Sequence, residues 1–119
     1  MSQPNRFQKI VADAKTRIRE IRPEEAQEAK ASGALLIDVR EPQDYAAGHI
    51  PGAMSLNRGI VELEIEDLAP DFNTQILCYC GGGSRAALVA ESLQRMGYTN
   101  VQSIAGGFKG WKAAGLPAE

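Results

Sequence analysis

Cysteine appears only twice in this chain of 119 residues and histidine only once, and both cysteines fall in the single stretch CYC, residues 78 to 80. That scarcity excludes a disulfide scaffold. Cysteines at i and i+2 of one strand share a face but stand too far apart for a relaxed bridge, so two free thiols in a reducing compartment are expected. Two cysteines and His49, with no second close pair, do not make a structural zinc site, and neither metal nor cofactor is expected. Long apolar runs are missing as well. A run such as Ala34 to Ile37 is far too short to span a bilayer, and the first residues carry no apolar stretch of the secretory-signal kind. An excess of one charge is also absent: 13 lysines and arginines against 15 acids give a formal net charge of −2, with no basic block. A general electrostatic grip on nucleic acid is therefore disfavoured. These absences leave a soluble, cytoplasmic protein whose partners are small molecules or proteins, with no nucleic acid and no membrane.

What is present is enough for one core. The chain is 44% hydrophobic and 24% charged, and a domain of this size buries roughly two-thirds of the surface of its unfolded chain. Phe7, Ile10, Val11, Ala14 and Ile18 recur at offsets of three and four, which predicts a helix from about Pro4 to Lys15 with one apolar face. That face either covers part of the domain or serves a dimer or partner contact. A short strand is expected near Arg17 to Ile21. A helix should then start at Pro23 with Glu24 and Glu25 in its first turn and stop near Gly33. ALLID reads as a buried strand, EPQDYAAG as a short helix, AMSL as a short strand, and Arg58 to Leu68 as a helix weakened by Gly59. QILCY is the next strand. Ala86, Ala87, Val89, Ala90, Leu93 and Met96 form a strong helical face that closes at Gly97. VQSI is the last strand, and Phe108 and Trp111 lie on one side of a final short helix ended by Gly115 and Pro117. Strands alternating with helices predict an α/β fold with a mostly parallel sheet. Ligands then bind beyond the carboxyl ends of the strands, which is where Cys80 sits.

The path strand, Cys80-Gly81-Gly82-Gly83-Ser84-Arg85, helix acts on the sulfur in three ways. Glycines let the backbone curl with positive φ and leave no side chain between the amide N–H groups and the centre. The helix adds its free N–H groups and positive dipole end. Arg85 adds a full charge at the rim. All three favour an anion, so a thiol there is drawn towards the nucleophilic thiolate without an adjacent base. The alternative is a plain strand-to-helix turn. Cys78, inside the strand, reads as a small buried hydrophobe, with a resolving thiol as the functional alternative if the strand end distorts.

These residues resemble the single-domain rhodaneses, also called rhodanese-like sulfurtransferases. LIDVREPQDYAAGHIPGA, Leu36 to Ala53, is similar to the family's first signature, CYCGGGSRAA to its active-site loop, and GGFKGW, Gly106 to Trp111, to its C-terminal signature. The resemblance covers about Ile18 to Pro117. It implies a three-layer α/β domain with a central, mostly parallel sheet of about five strands flanked by helices. The chain would thus divide into an N-terminal amphipathic helix over residues 1–16 and a rhodanese-like domain over 17–119.

The resemblance also implies that Cys80, not Cys78, carries sulfur. Its thiolate would attack the sulfane sulfur of a small anionic donor such as thiosulfate, release sulfite and hold the sulfur as a persulfide. Cyanide or a cellular thiol, small or on a protein, would then accept it, with ping-pong kinetics. Gly81, Gly82, Gly83, Ser84 and Arg85 would supply the N–H groups that stabilise thiolate and persulfide in one place. Arg85 would serve both to bind the donor and to lock the loop. Asp38 and Arg40 look like the family's pair bracing the neighbouring loop, and His49 like a hydrogen-bonded structural imidazole rather than a base. Related phosphatases and arsenate reductases place one residue more between cysteine and arginine than the four found here, giving a wider cradle. Residues 81 to 84 are neutral, whereas members most active on thiosulfate carry basic residues there. A catalytically silent, partner-binding module is the reading from another class, though such modules usually lack the cysteine.

Overall fold

The computed structural model describes residues 5–119. The elements run α1 (Arg6–Lys15), β1 (Arg19–Ile21), α2 (Pro23–Ala31), β2 (Leu35–Asp38), α3 (Pro42–Ala47), β3 (Met54–Ser55), α4 (Val61–Leu68), β4 (Ile76–Tyr79), α5 (Ser84–Arg95), β5 (Val101–Ile104) and α6 (Gly107–Ala113). One five-stranded sheet has the order β1-β5-β4-β2-β3, and every neighbouring pair is parallel. The parallel α/β sheet expected from the alternation of elements, and the three-layer arrangement that the resemblance implies, are what is found.

The side-chain period of two splits the core between the two faces of the sheet. Ile37, Ile76 and Cys78 join Ile65 of α4 and Val89 and Leu93 of α5 on one side. Leu36, Leu77, Tyr79 and Ile104 join Ala26 of α2 and Phe108 and Trp111 of α6 on the other. Strand β4 lies between β5 and β2 and all four of its residues are buried. Continuous apolar runs such as ILCY arise because a parallel sheet is covered on both faces.

Of the boundaries that differ from the sequence reading, three have a clear local cause. Pro4 lies outside the described residues, and α1 begins at Arg6 because Asn5 caps it: the Gln8 N–H donates to Asn5 Oδ1 at 2.7 Å and the Asn5 N–H to Gln8 Oε1 at 2.9 Å. Strand β1 begins at Arg19 rather than Arg17, because the N–H groups of Thr16 and Arg17 still donate back to Asp13 and Ala14 in the last turn of α1. Helix α4 begins at Val61 rather than Arg58. There Asn57 accepts the Gly59 N–H at 2.9 Å and the Ile60 N–H bonds back to its carbonyl, forming a turn instead.

Helix α1 packs against α5, but only part of its apolar stripe is covered. Val11 and Ala14 are buried, whereas Phe7 and Ile10 remain 41% and 52% exposed. Arg17 fastens the pair electrostatically. Its guanidinium donates to Asp13 at 2.7 Å and its Nε to Glu91 of α5 at 2.8 Å, and the Asp13 carboxyl is held below its ordinary range by that partner. No helix among the described residues is long and apolar enough to cross a membrane.

Candidate active site

Cys80 leaves the end of β4 and is almost fully buried, with 2% of its surface exposed. Its sulfur accepts two backbone hydrogen bonds, from the Gly83 N–H at 3.1 Å and the Ala86 N–H at 3.4 Å. Ala86 is the third residue of α5, so its amide is one of the first-turn donors that no helical carbonyl can satisfy. The sulfur thus closes the start of the helix. This cradle is narrower than the ring expected from the sequence. Of the five residues Gly81 to Arg85, only Gly83 donates to the sulfur, and the second donor lies one residue beyond them. Of the three glycines only Gly83 has a positive φ, +105°. That turn points its N–H back at Cys80, a conformation only glycine adopts without strain.

The loop is held from below by α6. The Phe108 N–H donates to the Cys80 carbonyl at 2.8 Å and the Lys109 N–H to the Gly81 carbonyl at 3.1 Å. So close an approach requires Gly107. It has φ +59°, and a Cβ there would lie 2.5 Å from the Cys80 oxygen and 2.9 Å from the Gly81 oxygen. This is the physical content of the GGFKGW stretch.

Asp38 and Arg40 form a buried pair at the end of β2. The Arg40 Nη2 donates to Asp38 Oδ2 at 2.8 Å, and the Arg40 backbone N–H to Oδ1 at 2.9 Å. The same Nη2 donates to the Gly48 carbonyl at 2.7 Å, and the guanidinium lies 4.6 Å from the Phe108 ring centroid. The pair therefore ties β2 to the end of α3 and to α6, and the carboxylate raises the Arg40 pKa. His49 stacks on Tyr45 with ring centroids 3.8 Å apart, and its Nδ1 is 2.9 Å from the Tyr45 carbonyl. It also faces Glu119, whose carboxylate lies 3.5 Å from its Nε2 and whose backbone exchanges hydrogen bonds with its own. Cys78 is fully buried, with its sulfur 3.5 Å from the Ala86 carbonyl and 3.7 Å from that of Gln102. Burial pushes its thiol up to about 12. Both cysteines are free.

A cleft of about 270 Å³ opens beside Gly81, between α3 and α6, with Arg40, Gly48, Phe108, Lys109 and Lys112 in its walls. The two lysines were not singled out from the sequence. Nothing local marks them, since the chain fold alone brings α6 against the cysteine loop. Arg85 is half-buried, forms no ion pair among the described residues and does not line this cleft. A larger hollow of about 470 Å³ lies at Arg17, Glu91 and Arg95; neither lining includes a cysteine, and of the two only the smaller cleft includes a residue of the cysteine loop, Gly81. Among the described residues, no three His, Cys, Asp or Glu side chains are grouped to hold a metal ion.

Comparison with known proteins gives a consistent picture. The family model described as rhodanese-like domain matches residues 22–114. The thiosulfate sulfurtransferase GlpE of Pseudomonas entomophila is 43% identical over 93 residues, covering 78% of this chain and 84% of that protein. Among solved structures, a Rhodopseudomonas palustris protein described as a possible tyrosine phosphatase of unknown function has a TM-score of 0.87 and 30% identity. The match covers 100% of this chain, α1 included, and 99% of that one. The polysulfide-sulfur transferase homodimer of Wolinella succinogenes has a TM-score of 0.81 and 25% identity, covering 95% of this chain and 86% of that one.

Proposed function

The chain belongs to the rhodanese-like domain family and is a sulfurtransferase, and we propose that Cys80 is its sulfur carrier. The observation that carries the assignment is the pair of N–H groups, from Gly83 and Ala86, converging on the Cys80 sulfur at the start of α5. Donors fixed by the backbone stabilise an anion without reorganising, and a thiolate is the nucleophilic form.

In the first half-reaction the Cys80 thiolate attacks the outer sulfur of a sulfane donor such as thiosulfate. A new S–S bond forms, the S–S bond of the donor breaks, and its electron pair leaves with sulfite. The charge now sits on the outer sulfur of the persulfide, about 2 Å further out. There the N–H groups of Gly81, Gly82, Ser84 and Arg85, which do not reach the thiol sulfur, become the candidate partners. In the second half-reaction cyanide or a thiolate attacks that outer sulfur, and the electron pair of the broken bond returns to Cys80. A covalent intermediate between two displacements makes the kinetics ping-pong.

Asp38, Arg40 and His49 act as supports in this reading, since each is bonded to scaffold atoms rather than to the cysteine loop. Cys78 takes no part, because its thiol is buried and held protonated. Two free cysteines fit a reducing compartment such as the cytoplasm.

The test is intact-protein mass spectrometry after incubation with thiosulfate. Wild type should gain one sulfur atom in a form lost on thiol reduction, Cys80→Ser should not, and Cys78→Ser should. A gain that survives Cys80→Ser and vanishes with Cys78→Ser overturns the assignment. The description of the Rhodopseudomonas neighbour gives a phosphatase reading its one support. Cys80-dependent hydrolysis of an aryl phosphate, with no sulfur gain from any sulfane donor, would favour it.

A further inference from the structure

We propose that Lys109 and Lys112 are specificity-determining residues. Together with the cleft they flank, they form an anion subsite outside the cysteine loop that selects substrates carrying negative charge beyond the reacting sulfur. The inference rests on the sulfur-transfer reading for the place of that sulfur.

Position is the first argument. The Lys109 N–H is bonded to the carbonyl of Gly81, the residue after Cys80, so this lysine is anchored beside the loop. Lys112 follows at i+3 on the same side of α6, and its ammonium is held 4.6 Å from the Phe108 ring centroid. Both line the cleft that opens at Gly81.

Charge is the second. Arg40 also lines the cleft, but its guanidinium is committed to the buried Asp38 carboxylate. Asp44 is the one acid in the lining. Neither lysine forms an ion pair among the described residues, so their two charges outweigh that of Asp44 and are free for a ligand. The loop cannot supply this charge, because residues 81 to 84 are neutral and Arg85 does not line the cleft.

Size is the third. A cleft of about 270 Å³, open to solvent, does not limit its occupant to a donor as small as thiosulfate. Longer substrates with a carboxylate or sulfonate several bonds from the sulfur fit as well. In a ping-pong reaction donor and acceptor use the same opening in turn, so one pair of lysines bears on both.

The test compares wild type with Lys109→Gln/Lys112→Gln and with Lys109→Glu/Lys112→Glu, all changes at exposed positions. Three quantities are read: KM for thiosulfate, its dependence on salt, and the kcat/KM ratio for mercaptosuccinate over 2-mercaptoethanol as acceptor. In the glutamine variant KM should rise roughly tenfold near physiological ionic strength, as two charges a few ångströms from a dianion imply. The rise of KM with salt should flatten, and the acceptor ratio should fall. The glutamate variant should exaggerate each change. If all three match wild type, the subsite does not exist.

Sulfate, a dianion that cannot donate sulfur, separates this inference from the reading beneath it. Titrated into the labelled protein, it should shift the amide signals of Gly81 and Phe108, with binding roughly tenfold weaker in the glutamine variant. Should wild type form no persulfide with any donor, the transfer reading falls alone and the sulfate titration still decides. Equal sulfate binding by wild type and variant overturns the subsite.

Discussion

Replacing Gly107 by alanine should damage the protein more than any other single-methyl addition in the cysteine loop region. The new Cβ would stand 2.5 Å from the Cys80 oxygen, 2.8 Å from the Gly81 carbon and 2.9 Å from the Gly81 oxygen. All three are backbone atoms at the end of the central strand, so no side chain can swing aside. Relief requires α6 to back away, which breaks the bonds from Phe108 and Lys109 to the two carbonyls. A left-handed alanine costs about 1–2 kcal/mol and each lost hydrogen bond about 0.5–1.5 kcal/mol. Together these come to about 2–5 kcal/mol, a large share of the stability of a small domain. In urea, with m about 1.5 kcal/mol/M, the midpoint should fall by about 2 M at unchanged m. Gly82→Ala is the control. No atom lies within 4 Å of a Cβ there and its φ is not positive, so its stability should stay within about 0.5 kcal/mol of wild type. Persulfide formation followed by mass spectrometry in the folded range should drop in Gly107→Ala, because the Cys80 carbonyl loses its tether. A Gly107→Ala midpoint within about 0.3 M of wild type would refute the reasoning, since α6 would then be free to move at no cost.

Other outcomes follow from the same geometry. Alkylation of the native protein near neutral pH should leave Cys78 unmodified and label it only on unfolding, because burial pushes its thiol up to about 12; native labelling of Cys78 would show that β4 opens. Arg40→Met should cost about 3–5 kcal/mol in denaturant unfolding, since it strands the fully buried Asp38 carboxylate. Val11→Ala should cost about 1.5–2.5 kcal/mol by removing apolar surface buried between α1 and α5, whereas Ile10→Ala, half-exposed, should cost less. Acid should loosen α1. The Asp13 carboxyl is depressed by Arg17, so its contribution is complete above its unfolded value near 4 and is lost as pH falls through the lower folded one. Protection of the α1 amides, measured relative to their intrinsic exchange rates, should therefore fall on going from about pH 5 to about pH 2.5, and unchanged protection would remove the Asp13 pair from the docking.

The order and type of the elements were legible because apolar period and punctuation agree along most of the chain. Pro23 opens α2, Gly97 follows α5, and ILCY reads as a strand covered on both faces. The cysteine loop was legible in kind, but the identity of its donors was not. Composition suggested a ring of amides from Gly81 to Arg85, whereas the sulfur takes one from Gly83 and one from Ala86. The second could have been anticipated by counting to the third residue of the helix, whose N–H is always an orphan. The stripe on α1 was read correctly as apolar, yet its coverage depends on the angle at which α1 crosses α5, and that left Phe7 and Ile10 exposed. The cleft lysines and the need for Gly107 were invisible for the same reason. Both arise where α6 meets a loop distant in sequence, and no local pattern encodes that meeting.

The pairing of β1 with β5 and the grip of α6 on the cysteine loop bear on how the protein is made. As the chain leaves the ribosome, β2, β4 and α5 can assemble before β5 exists, but β1 has no neighbour until Gln102 and Ser103 emerge to meet Arg19 and Glu20. The Cys80 and Gly81 carbonyls wait longer still, for the amides of Phe108 and Lys109. A nascent chain therefore carries its thiol on an untethered loop, and the cysteine loop reaches its final shape only after the rest of the sheet has been synthesised. Maturation of the site thus reports that translation has run through α6, and a chain cut short before Gly107 would hold the cysteine but not the frame that makes it useful.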